Sequence, residues 1–459
     1  MNKLILAADY ILTMAPDLRV LTKGALLVEE GRIADLGDVD LLKQRHPGAP
    51  LRHLANRLIM PGLINAHCHS GLLRGTAEGL PVWEWLRRYI DPMHRVLQPR
   101  EAEIASRLCY AEALLSGTTT LVDMWRFMDG SARAARDLGL RALLVPYVAE
   151  HPEHNYFETL DSNEAMIQNW HGKEDDRIRV WVGLEHMFYA VPEAWKRAIE
   201  MTHRYKVGFH THSNESQFDI QESLRRYGVR PVEALERNGL LDGYRTVLAH
   251  GVWLSDEEID ILARKNVGIA HNPVSNMKLA SGAAPFEKLL KKGINVGLGT
   301  DGEKENNNLD MFEELKGASL LTKLSTLNAA SVDSWDVLRC GTLLGARAFG
   351  WDDQIGSLEI GKRADLIAVR TDTPRMTPLL GHGDFFNLHH NLVHAVRGGD
   401  VDLTMVDGQI LVEDGQLKSA DLAGLIKDVN EAVPGLFQRR AEWLARSEGS
   451  KSPIHYEAV

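Results

Sequence analysis

Cysteine is scarce in this chain of 459 residues: there are three, Cys68, Cys109 and Cys340. An odd, sparse set offers no disulfide framework and suits a reducing compartment. No apolar run approaches the roughly 18–20 residues that a membrane helix needs. The opening MNKLILAADYILTM lacks the charged region, long apolar stretch and small-residue cleavage site of a secretory leader. Positive charge is also short, with 52 Lys+Arg against 63 Asp+Glu and a formal net charge of −11. That balance disfavours nucleic acid or an anionic membrane as partner, since either calls for a basic patch. A cytoplasmic protein is expected. Two catalytic signatures are missing as well. There is no G-x-S-x-G elbow of a serine hydrolase, and no GK[ST] follows GLGTDG to make it a phosphate loop. Low-complexity linkers and repeats at solenoid spacing are likewise absent.

What the chain does have is a rhythm. Hydrophobic residues make up 44% of it, enough for a sizeable core. Up to about Arg57 it reads as short strands and turns. From Leu58, eight β-like runs alternate with helical stretches: 58–69, 118–125, 141–148, 178–186, 207–214, 244–251, 267–273 and 295–301. Alternating strands and helices imply a parallel sheet, and eight units fit a closed (β/α)8 barrel. Further helices are expected near 309–324 and 332–349. After Trp351 strands return, including MVDGQILVEDG with Asp-Gly at a hairpin turn, and a last helix runs from about Ser419 to Ser447. The expected division is a barrel of residues 58–351, and a small β domain composed of residues 1–57 and 352–459.

Four of the barrel runs end on metal-binding or acid–base side chains: LIMPGLINAHCH, VGFHTHSNE, RTVLAHG and INVGLGTDG. A parallel barrel puts its chemistry at these carboxyl ends. His67 and His69 are two apart, so they share one face of a strand while Cys68 points away. His210 and His212 share a face too, and only one of them need bind metal. His212 is favoured, being nearer the strand end and three residues before Glu215. With Asp301, the set His67, His69 and His212 gives three nitrogens and one oxygen, which suits one zinc or iron(II) ion. Glu215 could reach a water on that ion without being a ligand, and His250 ends the sixth strand. A bound divalent cation lowers the pKa of its water to about 7. Trp85, in EGLPVWEWL, could wall a pocket for a flat ring.

PGLINAHCH, GTTTLVDM, HSNE, HNPVSNMKLASGAAP, LGTDG with NNNLDMFEE, and GSLEIGKRADL together resemble the amidohydrolase superfamily, in its branch of heterocycle aminohydrolases and triazine hydrolases. The resemblance covers nearly the full chain. It implies a distorted TIM barrel with a β-sandwich-like small domain from both termini. It also implies metal ligands at His67, His69, His212 and Asp301, with acid–base roles for Glu215, His250 and Asp301. The run WVGLEHMFY has no lysine to bridge two metals, so one divalent ion is expected. His186 matches a histidine that touches the heterocycle in deaminase relatives. The implied activity is deamination of a purine-, pyrimidine-, pterin- or triazine-like ring by metal-activated water, releasing ammonia from a small-molecule substrate. Alternatives are displacement of chloride or alkylamine from an s-triazine, deamination of methylthioadenosine- or S-adenosylhomocysteine-like nucleosides, or a metal-free binding protein on the same fold. A homo-oligomer is expected.

Within that branch, the nucleoside deaminases place a carboxylate for ribose where counting from Trp85 reaches Met93. Methionine accepts hydrogen bonds poorly. Free rings are therefore expected to be turned over better than nucleosides, unless Asp91 or His94 takes the ribose.

Overall fold

The computed structural model describes residues 3–447. The twelve C-terminal residues 448–459, assigned to the small domain on sequence, lie outside the described residues, as do residues 1–2. The chain opens with β1 (Lys3–Leu12), β2 (Val20–Glu29), β3 (Arg32–Asp38) and β4 (Leu51–Pro61). The barrel strands follow: β5 (Leu63–Cys68), β6 (Thr118–Trp125), β7 (Arg141–Pro146), β8 (Ile178–Val180), β9 (Val182–His186), β10 (Phe209–Ser213), β11 (Thr246–His250), β12 (Gly268–His271) and β13 (Val296–Leu298). Last come β14 (Leu366–Arg370), β15 (Val401–Val406), β16 (Gln409–Glu413) and β17 (Gln416–Leu417).

Strands from both ends of the chain form one eight-stranded sheet, in the order β17-β16-β15-β14-β4-β1-β2-β3. The expected hairpin is β15–β16, turning at Asp407 and Gly408, whose φ values of 47° and 71° are those of a type I′ turn. The barrel strands pair in parallel as β5-β6-β7-β8 and β9-β10-β11-β12-β13. The two groups meet in the fourth barrel strand, which bends at Trp181: its N–H still reaches Leu144 O (3.0 Å), while that of Val182 turns to Gly208 O (3.0 Å). On the far side Asp301 N–H donates to His67 O at 3.0 Å. The fold is thus a distorted (β/α)8 barrel.

Three runs differ from the sequence expectation. Residues 58–69 form two strands, because the chain crosses from the terminal sheet to the barrel at Gly62. Only glycine fits there, since a Cβ would lie 2.1 Å from the Thr119 side chain. Residues 178–186 are split at Trp181, and the helix expected over 332–349 is two, Ser334–Cys340 and Leu343–Ala348. The terminal sheet is tied to the barrel by an ion cluster in which Arg141 and Asp365 are buried and Asp407 is partly buried. Arg141 on β7 donates to Asp365 (2.7 Å) and to Asp407 (2.6 Å). The final helix is Leu422–Ser447. Among the described residues no helix is long and apolar enough to cross a membrane.

Candidate functional site

Carboxyl ends of the barrel strands converge on a cavity at the barrel mouth, the usual place for the site of such a fold. His69, Tyr147, Glu185, His186, His212, Glu215, Asp219, His250, Asp301 and Glu305 give it a polar floor, and Val82, Trp83, Trp85, Leu86 and Leu279 give it apolar walls. Residues 82–86 come from the long connection after β5, which folds back over the barrel mouth.

Hydrogen bonds fix which nitrogen of each floor histidine is free. His69 directs Nδ1 at Met124 O (2.6 Å), and His212 directs Nδ1 at Glu185 O (2.5 Å). A carbonyl only accepts, so both Nδ1 atoms carry the proton and both Nε2 atoms keep a lone pair. His210 Nδ1 likewise donates to Val247 O (2.9 Å), which leaves its Nε2 to accept from His67 Nδ1 at 2.8 Å. His67 Nε2 is then a buried lone pair with no hydrogen-bond partner. The Nε2 atoms of His69 and His212 face each other at 3.2 Å. Two acceptors at that separation repel unless a cation lies between them. Tetrahedral geometry with zinc–nitrogen bonds of about 2.0–2.1 Å spaces its ligands by much the same distance.

Asp301 completes the set. Its Oδ1 is 3.2 Å from His69 Nε2 and 3.6 Å from His67 Nε2, while Oδ2 accepts from Ser275 Oγ at 2.6 Å. The candidate ligand atoms of His67, His69 and His212 lie within 4.8 Å of one another, as do those of His67, His250 and Asp301. Burial, and then the neighbouring histidines, hold His67 and His212 well below the usual histidine range, so both stay neutral as metal ligands must. The donor set therefore fits one divalent ion. Cys68 is buried, and burial pushes its thiol well up, so it stays a packing residue.

Two acid–base groups flank the floor. His250 and Asp301 both take left-handed backbone, φ 74° and 59°, which for non-glycine residues marks a constrained site. His250 Nδ1 donates to Asn276 Oδ1 at 3.0 Å, and its Nε2 is 3.8 Å from Glu215 Oε2 and 3.9 Å from Asp301 Oδ2. Burial pushes the Glu215 carboxyl up to about 7; His250 opposes that rise, and Asp301 and Asp219 add to it. Burial alone would lower His250, yet the facing Glu215 and Asp301 carboxylates raise it. Burial thus favours the protonated form of Glu215, and the facing carboxylates favour the protonated form of His250.

His186 Nδ1 accepts from Phe188 N–H at 3.2 Å. Burial lowers its pKa to about 4, so it is neutral and its unpartnered Nε2 is an N–H donor at the cavity. Trp85 lines the wall and donates to Ala77 O at 3.0 Å. Met93 lies elsewhere. It faces a separate apolar cavity with Leu72, Leu73, His94, Leu97, Trp125, Lys304 and Leu436, because Asp91–Val96 is a short helix behind the wall. The expectation of free rings over nucleosides, which rested on Met93, has no geometric basis. Neither alternative ribose partner lines the floor cavity: Asp91 is hydrogen-bonded to Tyr156, and His94 stacks on Tyr147.

Sequence reasoning missed Tyr147, Glu185, Asp219 and Glu305, all at the cavity. Glu185 stands next to His186, and strand alternation would point it away. In the structure His210 pairs with Gly183 but His212 pairs with His186. Three steps on β9 thus oppose two on β10, a β-bulge that brings successive side chains to one face.

Comparison with known proteins gives a consistent picture. Residues 58–411 match the model of the amidohydrolase family. The chain is 38% identical to a 5-methylthioadenosine/S-adenosylhomocysteine deaminase of Caldanaerobacter subterraneus subsp. tengcongensis, over 83% of this chain and 88% of that one. It is 36% identical to a 5′-deoxyadenosine deaminase of Methanosarcina acetivorans, over 96% of this chain and 99% of that one. A crystal structure of an adenosine deaminase from Xanthomonas campestris with bound zinc superimposes with a TM-score of 0.88 at 29% identity, covering 95% of this chain and 98% of that one.

Proposed function

Because this chain belongs to the amidohydrolase family, whose model spans residues 58–411, we propose that its floor cavity is the active site of a zinc-dependent deaminase of adenine nucleosides. Deamination of an N-heterocycle is the activity of the chain, as it is of relatives 36–38% identical over most of its length. The family works with a divalent metal. Zinc is the proposed ion, held by His67, His69, His212 and Asp301. One observation carries this reading: three buried histidine nitrogens turn lone pairs on a common point beside Asp301, below a glutamate that holds its proton near neutral pH. Nucleosides of the 5′-deoxyadenosine or methylthioadenosine kind are favoured over free rings by the relatives' activities.

In the proposed reaction water adds its oxygen to the ring carbon, the carbon–nitrogen bond breaks, and ammonia leaves with a proton from that water. The metal supplies a water acidic enough to attack near neutral pH. Asp301, with Ser275 on its other oxygen, accepts a proton from the water. Glu215 gives its proton to the ring nitrogen beside the attacked carbon, the proton taken by Asp301 passes to the departing amine, and the hydroxyl proton returns to Glu215 as the carbonyl forms. His250, steered by Asn276, supports the charge developing on the incoming oxygen. His186 donates from Nε2 to the heterocycle, and Trp85 walls the ring. The proposed division is a barrel of residues 58–351 that carries the site and a small domain drawn from both termini.

The test is ammonia release by the zinc-loaded protein from 5′-deoxyadenosine, methylthioadenosine, S-adenosylhomocysteine, adenine, guanine and aminotriazines. Nucleosides are expected to lead by more than about tenfold in kcat/KM, or about 1.4 kcal/mol of transition-state stabilisation. Release from adenine alone refutes the nucleoside assignment, and equal activity of the metal-free protein refutes the metal.

A further inference from the structure

The deamination chemistry leaves one cavity group unused. Glu185 is only 5% exposed and lines the floor. Its Oε1 accepts from Tyr147 OH at 3.2 Å, and among the described residues its Oε2 has no partner. The other floor carboxylates are provided for. Asp219 accepts from Trp83 Nε1 and from Glu215 N–H, both at 2.7 Å. Glu305 pairs with Lys304 at 3.0 Å. Asp301 takes Ser275 and faces the histidines, and Glu215 takes Ser281 Oγ at 3.3 Å and faces His250. A buried carboxylate oxygen without a donor is costly, and folds keep few of them.

The missing donor is not a side chain of the cavity wall, for no lysine or arginine lines it. Burial, and then Asp91, Glu215 and Asp219, push the Glu185 carboxyl well up, as expected of an acid with no cation beside it. A donor group on the ligand, best of all a cationic one, supplies what the wall lacks, whereas an anionic group does not. The bulge on β9 also sets the Glu185 acceptor beside the His186 donor, so adjoining residues present complementary polar atoms to one ligand.

We propose that Glu185 determines specificity by accepting a hydrogen bond, at Oε2, from a hydroxyl, amino or ammonium substituent of the substrate, so that the enzyme selects donor-bearing substrates and rejects carboxylate-bearing ones. This rests on the reading of the cavity as the deaminase site. The substituent belongs either to the ring or to the sugar, and matched pairs tell them apart. One pair is adenine against 2,6-diaminopurine. The other series is 5′-deoxyadenosine against adenosine, 5′-amino-5′-deoxyadenosine and the adenosine 5′-carboxylate.

Zinc-loaded full-length wild type, Glu185→Gln and Glu185→Leu are compared by kcat/KM for ammonia release. Wild type is expected to favour a donor-bearing member by about 10–100-fold, the worth of a hydrogen bond to a charged group. Glu185→Leu loses that ratio, and Glu185→Gln, which keeps an acceptor oxygen, retains part of it. Damage to the fold or the metal site lowers both members of a pair together and leaves the ratio intact, so the ratio reports on Oε2 alone. The proposal is overturned by a ratio unchanged in Glu185→Leu, by no donor preference in either series, or by preference for the carboxylate, which would make Glu185 a donor. Silence of wild type on every compound counts against the reaction instead. The same pairs are then ranked by calorimetric Kd, where loss of the ratio in Glu185→Leu still supports the role of Glu185.

Discussion

His210 is the residue whose replacement tests the metal centre most sharply. It is buried at the level below the ligand set, with Nδ1 on Val247 O and Nε2 on His67 Nδ1. In this arrangement it binds nothing itself but compels His67 to offer its Nε2 lone pair. Leucine at 210 leaves His67 Nδ1–H buried without an acceptor. The ring can then move its proton to Nε2, toward Asp301 Oδ1 at 3.6 Å, and in that tautomer it cannot ligate. Loss of such an outer partner typically costs about 10–100-fold in metal affinity. That range is about 1.4–2.7 kcal/mol, and it agrees with the about 1–3 kcal/mol charged for an unsatisfied buried donor.

The assay is zinc affinity by chelator competition, on wild type, His210→Leu, His210→Asn and His212→Gln. His210→Leu should weaken zinc by the stated factor without emptying the site. His210→Asn, whose amide oxygen can accept, should lie between it and wild type. His212→Gln should lose the ion. Wild-type affinity in His210→Leu refutes the tautomer relay. An empty site in His210→Leu with a filled one in His212→Gln reverses the roles of the two histidines.

Three further outcomes follow from the same geometry. Glu215→Gln should keep zinc and lower kcat by about 10²–10⁴-fold, the range for a general acid–base group. Since the acid form of Glu215 is required and its pKa is raised to about 7, wild-type kcat/KM should fall as pH rises past that value, and the variant should lose this limb; a limb that persists refutes the assignment. His250→Gln should also retain zinc while turnover drops, and a metal-depleted protein would make His250 a ligand. Arg141→Leu strands Asp365 in the interior and should cost about 3–5 kcal/mol of stability, read by urea unfolding, with the substrate ratios unmoved; a loss below about 1 kcal/mol shows that the pair is solvated.

Much of the site was legible because barrel chemistry sits where strands end, and an apolar run that ends in His-x-His or Thr-Asp can be read by eye. His67, His69, His212, Glu215, His250 and Asp301 are the candidates that this reading gives, and all of them lie at or just beneath the cavity floor. The choice between His210 and His212 was harder. Both share a face and both are buried, and their difference lies in depth along the strand, which a period of two does not encode. Counting failed at Met93. From Trp85 the chain runs through a π-helical turn, Leu86–Ile90, into the helix Asp91–Val96. An added residue per turn rotates everything downstream, so Met93 faces the apolar cavity behind the wall.

Glu185 was hidden for a related reason, and it bears on how specificity is built here. In LINAHCH the alternation holds, and Cys68 leaves the face that His67 and His69 share. In GLEH the same rule would send Glu185 away from His186. The rule fails because the fourth barrel strand serves two sheets: residues 178–180 register with β7, residues 182–186 register with β10, and the chain must bend at Trp181 between them. The extra residue taken up opposite His210 and His212 is the consequence of that bend. Glu185 and His186 therefore enter the cavity together, while Glu185 O still accepts from His212 Nδ1. One backbone irregularity thus orients His212, the proposed metal ligand, through the Glu185 carbonyl and brings both Glu185 and His186 to the cavity. A deletion that restores alternation in β9 should accordingly impair zinc binding and substrate choice together, while Glu185→Leu, which spares the backbone, should change substrate choice alone.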